Sequence, residues 1–205
     1  MKCQNKSTGF LKMEYTSKVY ALLKRGSKRH FKEVFSRLDL QKEDRVLELG
    51  CARGAVVKRV QAVAPETYGI DINREAIEHG LCDKLAVMPA DNLRFADESF
   101  DKLYSFHTIE HVSLLKNALQ EMARVLKPGG RALLVYPAEP IRGMFALVAS
   151  LIMFGHPFKA RAIHVYKLTP TKLRELIKGT GLIHRESEFS LARGPEFFTV
   201  LQKGV

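Results

Sequence analysis

Apolar residues recur at helical spacing near the start of the chain, at Phe10, Leu11, Val19, Leu22 and Leu23 and again at Phe31, Val34, Phe35 and Leu38, with a break at Gly26-Ser27. The spacing predicts two short helices. From residue 45 short apolar runs alternate with amphipathic ones. They predict strand 45–49, a glycine turn, helix 53–62, strand 67–71, helix 73–81, strands 85–88 and 100–106, helix 112–126 and strand 131–137. Such alternation predicts right-handed βαβ units and a doubly wound, mostly parallel sheet covered by helices on both faces. Ligands on such sheets bind at the C-terminal ends of the strands. Pro128-Gly129-Gly130 is expected to be a turn that ends one helix and starts the next strand.

After Pro140 the pattern changes. Met144 to Phe154 is apolar except for Ser150 and is flanked by Arg142, Lys159 and Arg161. It is too short to span a bilayer, which leaves a helix buried on the sheet or an element lying at a membrane surface. Thr169 and Pro170 read as cap and first residue of a helix reaching about Lys178, closed by Gly179 and Gly181. Segments 182–190 and 196–202 predict a closing antiparallel strand pair. The reading is therefore one domain: N-terminal helices over 1–44, a ligand-binding core over 45–137, an apolar insertion over 138–168 and a C-terminal helix and strand pair over 169–205.

Composition narrows the class. With 46% hydrophobic and 27% charged residues in 205, the chain has the makings of a single packed core, and disordered or coiled-coil readings fall away. Cys3, Cys51 and Cys82 are scattered and have no His or Cys at zinc-ligand spacing, so neither a disulfide framework nor a metal is expected, and a cytoplasmic setting fits. The N-terminus lacks the apolar stretch of a secretory signal. The net charge of +11 is uneven: residues 1–45 carry +7, 46–140 carry −2 and 141–205 carry +6. Basic flanks around a nearly neutral middle suit a face that meets an anionic partner, nucleic acid or membrane surface, although solvated lysines would look the same.

The candidate chemistry lies in VLELGCARGAVV, residues 46–57. Glu48 stands near the end of a strand, with Gly50 and Gly54 in the turn that follows, where glycines let backbone pass close to a ligand. The next strand ends in Asp71, placed to accept the two hydroxyls of a ribose. An adenosine-type ligand follows from the pair. The carboxylate of Glu48 is unsuited to a pyrophosphate and suited to an amino group.

At this point the sequence resembles the class I S-adenosylmethionine-dependent methyltransferases, whose first motif is an acidic residue followed by a glycine-rich turn. Asp71, the stretch ADNLRFADESFDKLYSFHTIEHV (90–112) and LKPGGRALLVYP (126–137) extend the resemblance, and residues 164–182 look like the subgroup acting on small molecules, sugars, quinones and lipids. The resemblance implies a Rossmann-like fold and S-adenosyl-L-methionine as cofactor. Glu48, Gly50, Cys51, Ala52 and Gly54 would line the methionine and ribose side. Asp71 would hold the ribose hydroxyls, Ile72 would lie against adenine, Ala90, Asp91 and Asn92 would form the adenine edge, and Phe106 and His107 the floor near the sulfonium. Two positions depart from the family: Ala52 replaces the middle glycine of the first motif, and Pro89 stands where relatives carry an acid.

The resemblance implies methyl transfer to a small acceptor; the apolar run Met144 to Phe154 with its flanking Arg142, Lys159 and Arg161 points to a hydrophobic one such as a lipid or quinone, met at an anionic membrane surface unless the run is a helix buried on the sheet. His107, His111 and His164 are the candidate bases for a hydroxyl acceptor, each with a structural hydrogen bond as its alternative, and Glu110 could pair with His111. His30, His79 and His184 are expected at the surface; His156 is left open. Cys51 reads as a small turn residue. Nucleic acid is not expected, because SFHTIE replaces the Pro-Pro-aromatic motif of base methyltransferases. An NAD(P)-dependent oxidoreductase would share Asp71 but leaves Glu48 unexplained, and a non-catalytic membrane-surface adaptor would account for Ala52 and Pro89 as decay.

Overall fold

The computed structural model describes residues 27–138, 166–191 and 194–205. Helix α1 (Ser27–Leu38) is followed by β1 (Val46–Leu49), α2 (Val57–Val60), β2 (Thr67–Asp71), α3 (Arg74–Glu78), β3 (Leu85–Val87), β4 (Phe100–Phe106), a 3-10 turn (Ile109–His111), α4 (Leu115–Val125), β5 (Leu126–Pro137), α5 (Pro170–Leu176), β6 (Leu182–Ser190) and β7 (Glu196–Lys203). The strands form one sheet in the order β3-β2-β1-β4-β5-β7-β6. Strands β1 to β5 pair in parallel, and β7 runs antiparallel to both β5 and β6.

The alternation of side chains builds two cores. Leu47, Leu49, Leu103, Leu134 and Tyr136 pack on one face of the sheet with α4 and α5. Val46, Tyr104, Leu133 and Val135 pack on the other with Val34 and Leu38 of α1 and Val56 and Val60 around α2. Because both faces are covered, all four residues of β1 are buried and the strand reads as a continuous apolar run broken only by Glu48. Helix α1 achieves its contact with Phe31, Val34 and Leu38, one face at helical spacing.

Several expected elements are shorter. The helix expected over 53–62 is regular only over Val57–Val60, flanked by turns, and that expected over 112–126 starts at Leu115 because the 3-10 turn takes up residues 109–111. Pro128-Gly129-Gly130 is not a turn before β5 but an irregularity within it: Leu126 pairs with Phe100 before the register resumes at Arg131 and Lys102. Gly129 there takes φ +77°. The expected helix before Gly26, the apolar run 144–154, His156 and His164 lie outside the described residues, as does the side chain of His30.

Candidate active site

The strand order reverses between β1 and β4, so the turns after β1, β2 and β4 open into one crevice. The turn after β1 is held by the amides of Gly50 and Cys51, both donating to the Ile70 carbonyl at 2.8 and 2.9 Å. Gly50 takes φ +76°, and a Cβ there would lie 2.0 Å from Thr108 Oγ1. Only glycine lets the β4 turn close on the β1 turn. Ala52 sits at φ +48°, in the left-handed region that the family's glycine would occupy without strain.

Two carboxyl groups underlie this turn. Asp71 is 4% exposed; its Oδ2 accepts from the Ala52 amide at 2.7 Å and its Oδ1 from the Asn73 amide at 2.8 Å. Burial raises its pKa above the usual carboxylate value, against the pull of those amides. The expected ribose ligand is thus also a brace for the loop. Beside it Ile72 is 60% exposed, a bare aliphatic surface at the strand tip. Glu48, equally buried, accepts from the Tyr104 hydroxyl at 3.1 Å. Burial pushes its carboxyl up to about 8, outweighing the bonds from Tyr104 and the Val57 amide, and the charge of Asp71 adds to the rise. A buried acid of this kind is suited to an ammonium group, which would restore its ionised form. Burial also pushes the Cys51 thiol far up, which makes it a packing residue rather than a nucleophile.

Farther along the rim, Ala90 is buried, Asp91 half-buried and Asn92 exposed, while Pro89 turns to solvent. Phe106 is buried against Tyr104 with ring centroids 5.7 Å apart. His107 follows at the tip of β4 with φ +50°. Its Nε2 lies 3.1 Å from Oε2 of Glu196 on β7, and its Nδ1 lies 3.6 Å from Glu110 Oε1. His111 Nε2 stands 4.0 Å from the same Glu110 oxygen. The pairing read for Glu110 and His111 is therefore the longer of two contacts. Burial alone would raise the Glu110 carboxyl, but His107 and His111 hold it below its usual value.

The structure thus brings Glu48, Gly50, Ala52, Gly54, Asp71 and Ile72 to one side of the crevice and His107 and His111 to its β4 end. His79 is exposed as expected, but His184 is half-buried, with Nε2 2.8 Å from Ser187 Oγ. Tyr104, Thr108 and Glu196 join the site without a motif that marks them in the sequence. Tyr104 lies two positions before Phe106 and could have been found from the strand period, whereas nothing local marks Glu196, 89 positions from His107. Among the described residues no group of three His, Cys, Asp or Glu side chains could hold a metal ion.

A methyltransferase domain family model matches residues 16–185. The chain belongs to this family, and its sequence and fold are those of a class I S-adenosylmethionine-dependent methyltransferase. Methyltransferase GfsG of Streptomyces halstedii is 29% identical over 65% of this chain and 51% of its own length. The ubiquinone/menaquinone biosynthesis C-methyltransferase UbiE of Geotalea daltonii is 32% identical over 47% of this chain and 46% of its own. The chain spans about half the length of these curated relatives. Among solved structures, the YcgJ protein of Bacillus subtilis superposes with a TM-score of 0.68 and 18% identity over 87% of this chain and 99% of that one. The residues present fit the family's cofactor: a buried carboxylate beside an exposed aliphatic residue suits ribose and adenine, and a buried acid under the first turn suits the methionine ammonium.

Proposed function

We propose that this chain transfers a methyl group from S-adenosyl-L-methionine to a small, hydrophobic acceptor of lipid or quinone type, in the cytoplasm and at an anionic membrane surface. Asp71 and Ile72 would hold the adenosine half, Ala90, Asp91 and Asn92 the adenine edge, and Glu48 with the backbone of Gly50 to Gly54 the methionine half. When bound, the cofactor supplies a methyl group already activated on a sulfonium. The chain's own work is then alignment and exclusion of water. A base is required for a hydroxyl acceptor, and His107, with His111 beside it, stands at the crevice rim to serve; His164 completes the candidates by sequence.

The observation that carries the hydrophobic acceptor is where the apolar insertion is tethered. The chain leaves the sheet at Ala138, just past β5, and is next described at Tyr166, whose amide donates to the Glu110 carbonyl at 3.0 Å. Both ends of the insertion thus meet the β4 end of the crevice, and the sequence between them includes the apolar run Met144 to Phe154. The Geotalea relative, named for quinone biosynthesis, supports the same class. Incubation with methyl-labelled donor and extracted membrane lipids and quinols should place label in a product that partitions into organic solvent. Label confined to water-soluble products would overturn the hydrophobic acceptor. Donor binding is checked separately by calorimetry on Asp71→Ala, which should weaken affinity at least about tenfold, since hydrogen bonds to a charged carboxylate contribute roughly 1.5 to 3 kcal/mol each.

A further inference from the structure

Toward the end of the sheet opposite the crevice, Lys102 of β4 stands directly across from Arg131 of β5, and Arg131 across from Gln202 of β7. Tyr104, Leu133 and Val200, two positions along the same strands, pack into the core on the α1 side, so these three side chains lie on that face of the sheet. Arg185 of the edge strand β6 joins the row: its Nε donates to Gln202 Oε1 at 2.7 Å, and Gln202 Nε2 donates to the Gly129 carbonyl at 2.8 Å. Lys102 and Arg131 are half-buried, and among the described residues no side chain forms a hydrogen bond or ion pair with either. By contrast, Arg37, Lys84, Arg124 and Lys127 each meet a carboxylate at 2.6 to 2.7 Å. The neighbouring carboxylate of Asp101 feels the charge of Lys102 but is held by Lys127 Nζ at 2.7 Å and by the Arg45 amide at 2.9 Å. Glu186, the next acid along β6, stands opposite Val200, one row farther up the face. Like charges set directly opposite each other across two strands are destabilising, so the row calls for an anion.

We propose that Lys102, Arg131 and Arg185 form a binding site for the phosphate group of a soluble molecule, separate from the methyl-transfer crevice. Neighbouring strands lie about 4.8 Å apart, so one tetrahedral oxyanion can bridge Lys102 and Arg131. The Arg131 guanidinium offers a planar fork that matches two phosphate oxygens, and Lys102 offers a compact charge. Arg185, with its Nε committed to Gln202, keeps its terminal nitrogens for a third oxygen. A phosphate carries close to two negative charges at neutral pH and so offsets two of the three cations, which a carboxylate cannot do. Gly129 leaves the approach open, since a Cβ there would meet Gln202 alone, at 3.9 Å. Lys102 precedes Phe106 by four positions on β4, about 13 Å at roughly 3.3 Å per residue. A ligand here does not touch the crevice, and a membrane met at the crevice rim does not reach this row. That separation favours a soluble phosphate over a lipid headgroup.

The test titrates the full ¹⁵N-labelled chain with inorganic phosphate near neutral pH, against sodium chloride of matched ionic strength. The Arg131 and Arg185 Nε–H signals, assigned by their loss in Arg131→Gln and Arg185→Gln, should move saturably with phosphate and stay in place with chloride. Lys102→Gln should weaken the apparent affinity about five- to tenfold. Lys178→Gln removes the same charge from the exposed pair with Glu175 and should leave that affinity unchanged. Adenosylhomocysteine affinity, measured by calorimetry, should be the same in the unmodified chain and in Lys102→Gln. Arginine signals that do not respond, an equal response to chloride, or equal weakening by Lys102→Gln and Lys178→Gln would each overturn the site. Flotation with phosphatidic acid vesicles separates the two sources of phosphate. Lys102→Gln should behave there as the unmodified chain does, and a variant that loses flotation would assign the row to a lipid headgroup and overturn the soluble ligand.

Discussion

Glu48 shows how a single side chain couples pH to the fold. Its carboxyl, ordinarily at 4.5, is pushed by burial to about 8, so the folded protein retains a proton that the unfolded chain has already lost between those two values. Stability from this group is therefore present in full below pH 4.5 and lost as pH rises through 8, on the order of 4 to 5 kcal/mol in all. Glu48→Gln keeps the acceptor for the Tyr104 hydroxyl but cannot ionise. In thermal melts without ligand, the unmodified chain should lose more Tm between pH 5 and 8.5 than the variant; parallel pH dependences would remove Glu48 from the account. Ala52 carries a different strain, backbone rather than charge. Ala52→Gly exchanges the cost of φ +48° for glycine's entropy and should change stability by less than about 1 kcal/mol. Ala52→Val puts a β-branched residue in the left-handed region and moves the amide that binds Asp71. It should lower donor affinity about tenfold by calorimetry, and unchanged affinity would show that the turn tolerates bulk.

At the scale of elements, the reading from sequence succeeds where a local signal fixes the outcome. The sequence marks Thr169 and Pro170 as cap and first helical residue, and Thr169 Oγ1 accepts from the Lys172 amide at 3.2 Å. Thr169→Ala should cost about 1 kcal/mol in denaturant melts, and a cost near zero would mean that packing of Leu173 alone sets the start of α5. Strands β2 and β4 fell where apolar runs are bounded by polar or turn residues, and β6 with β7 where Gly194-Pro195 separates them. The misses have a common physical cause, tertiary demand on a local pattern. Val57 and Val60 satisfy the core with one helical turn, so α2 ends early. The Pro-Gly-Gly run keeps pairing because Leu126 reaches Phe100 before the chain kinks. That Glu48, Asp71 and the glycine turn lie together was legible because each falls at a strand end or in the turn after it, close along the chain. Glu196 was not, because its partner His107 is met only when β7 inserts beside β5 and the register sets Glu196 opposite Pro137.

For the whole molecule the question is what the excess positive charge does. In the middle of the chain many cations are already engaged: Arg124 with Asp97 and Glu121, Lys127 with Asp101, and Lys84 with Glu66. Arg37 of α1 is likewise engaged, bound to Glu33 and Glu188 and stacked over Phe198 at 4.8 Å. The remaining excess, +7 over residues 1–45 and +6 over 141–205, belongs to the segments that flank the cofactor-binding core. Each Lys or Arg near an anionic surface adds about 1 kcal/mol, so a few suffice for reversible attachment without a spanning segment. Among the described residues no helix is long and apolar enough to cross a membrane. Attachment by the basic flanks, with Met144 to Phe154 entering the interface, would let a greasy acceptor reach the crevice without crossing water. In flotation with vesicles containing about a third anionic lipid, the chain should rise at low salt and mostly remain behind at high salt, where screening shortens the reach of its charges. Phe154→Asp should weaken flotation at low salt without altering donor affinity. A chain that stays behind at both salt concentrations, and a variant that behaves identically, would return the apolar run to the interior and leave the basic flanks as solvated surface.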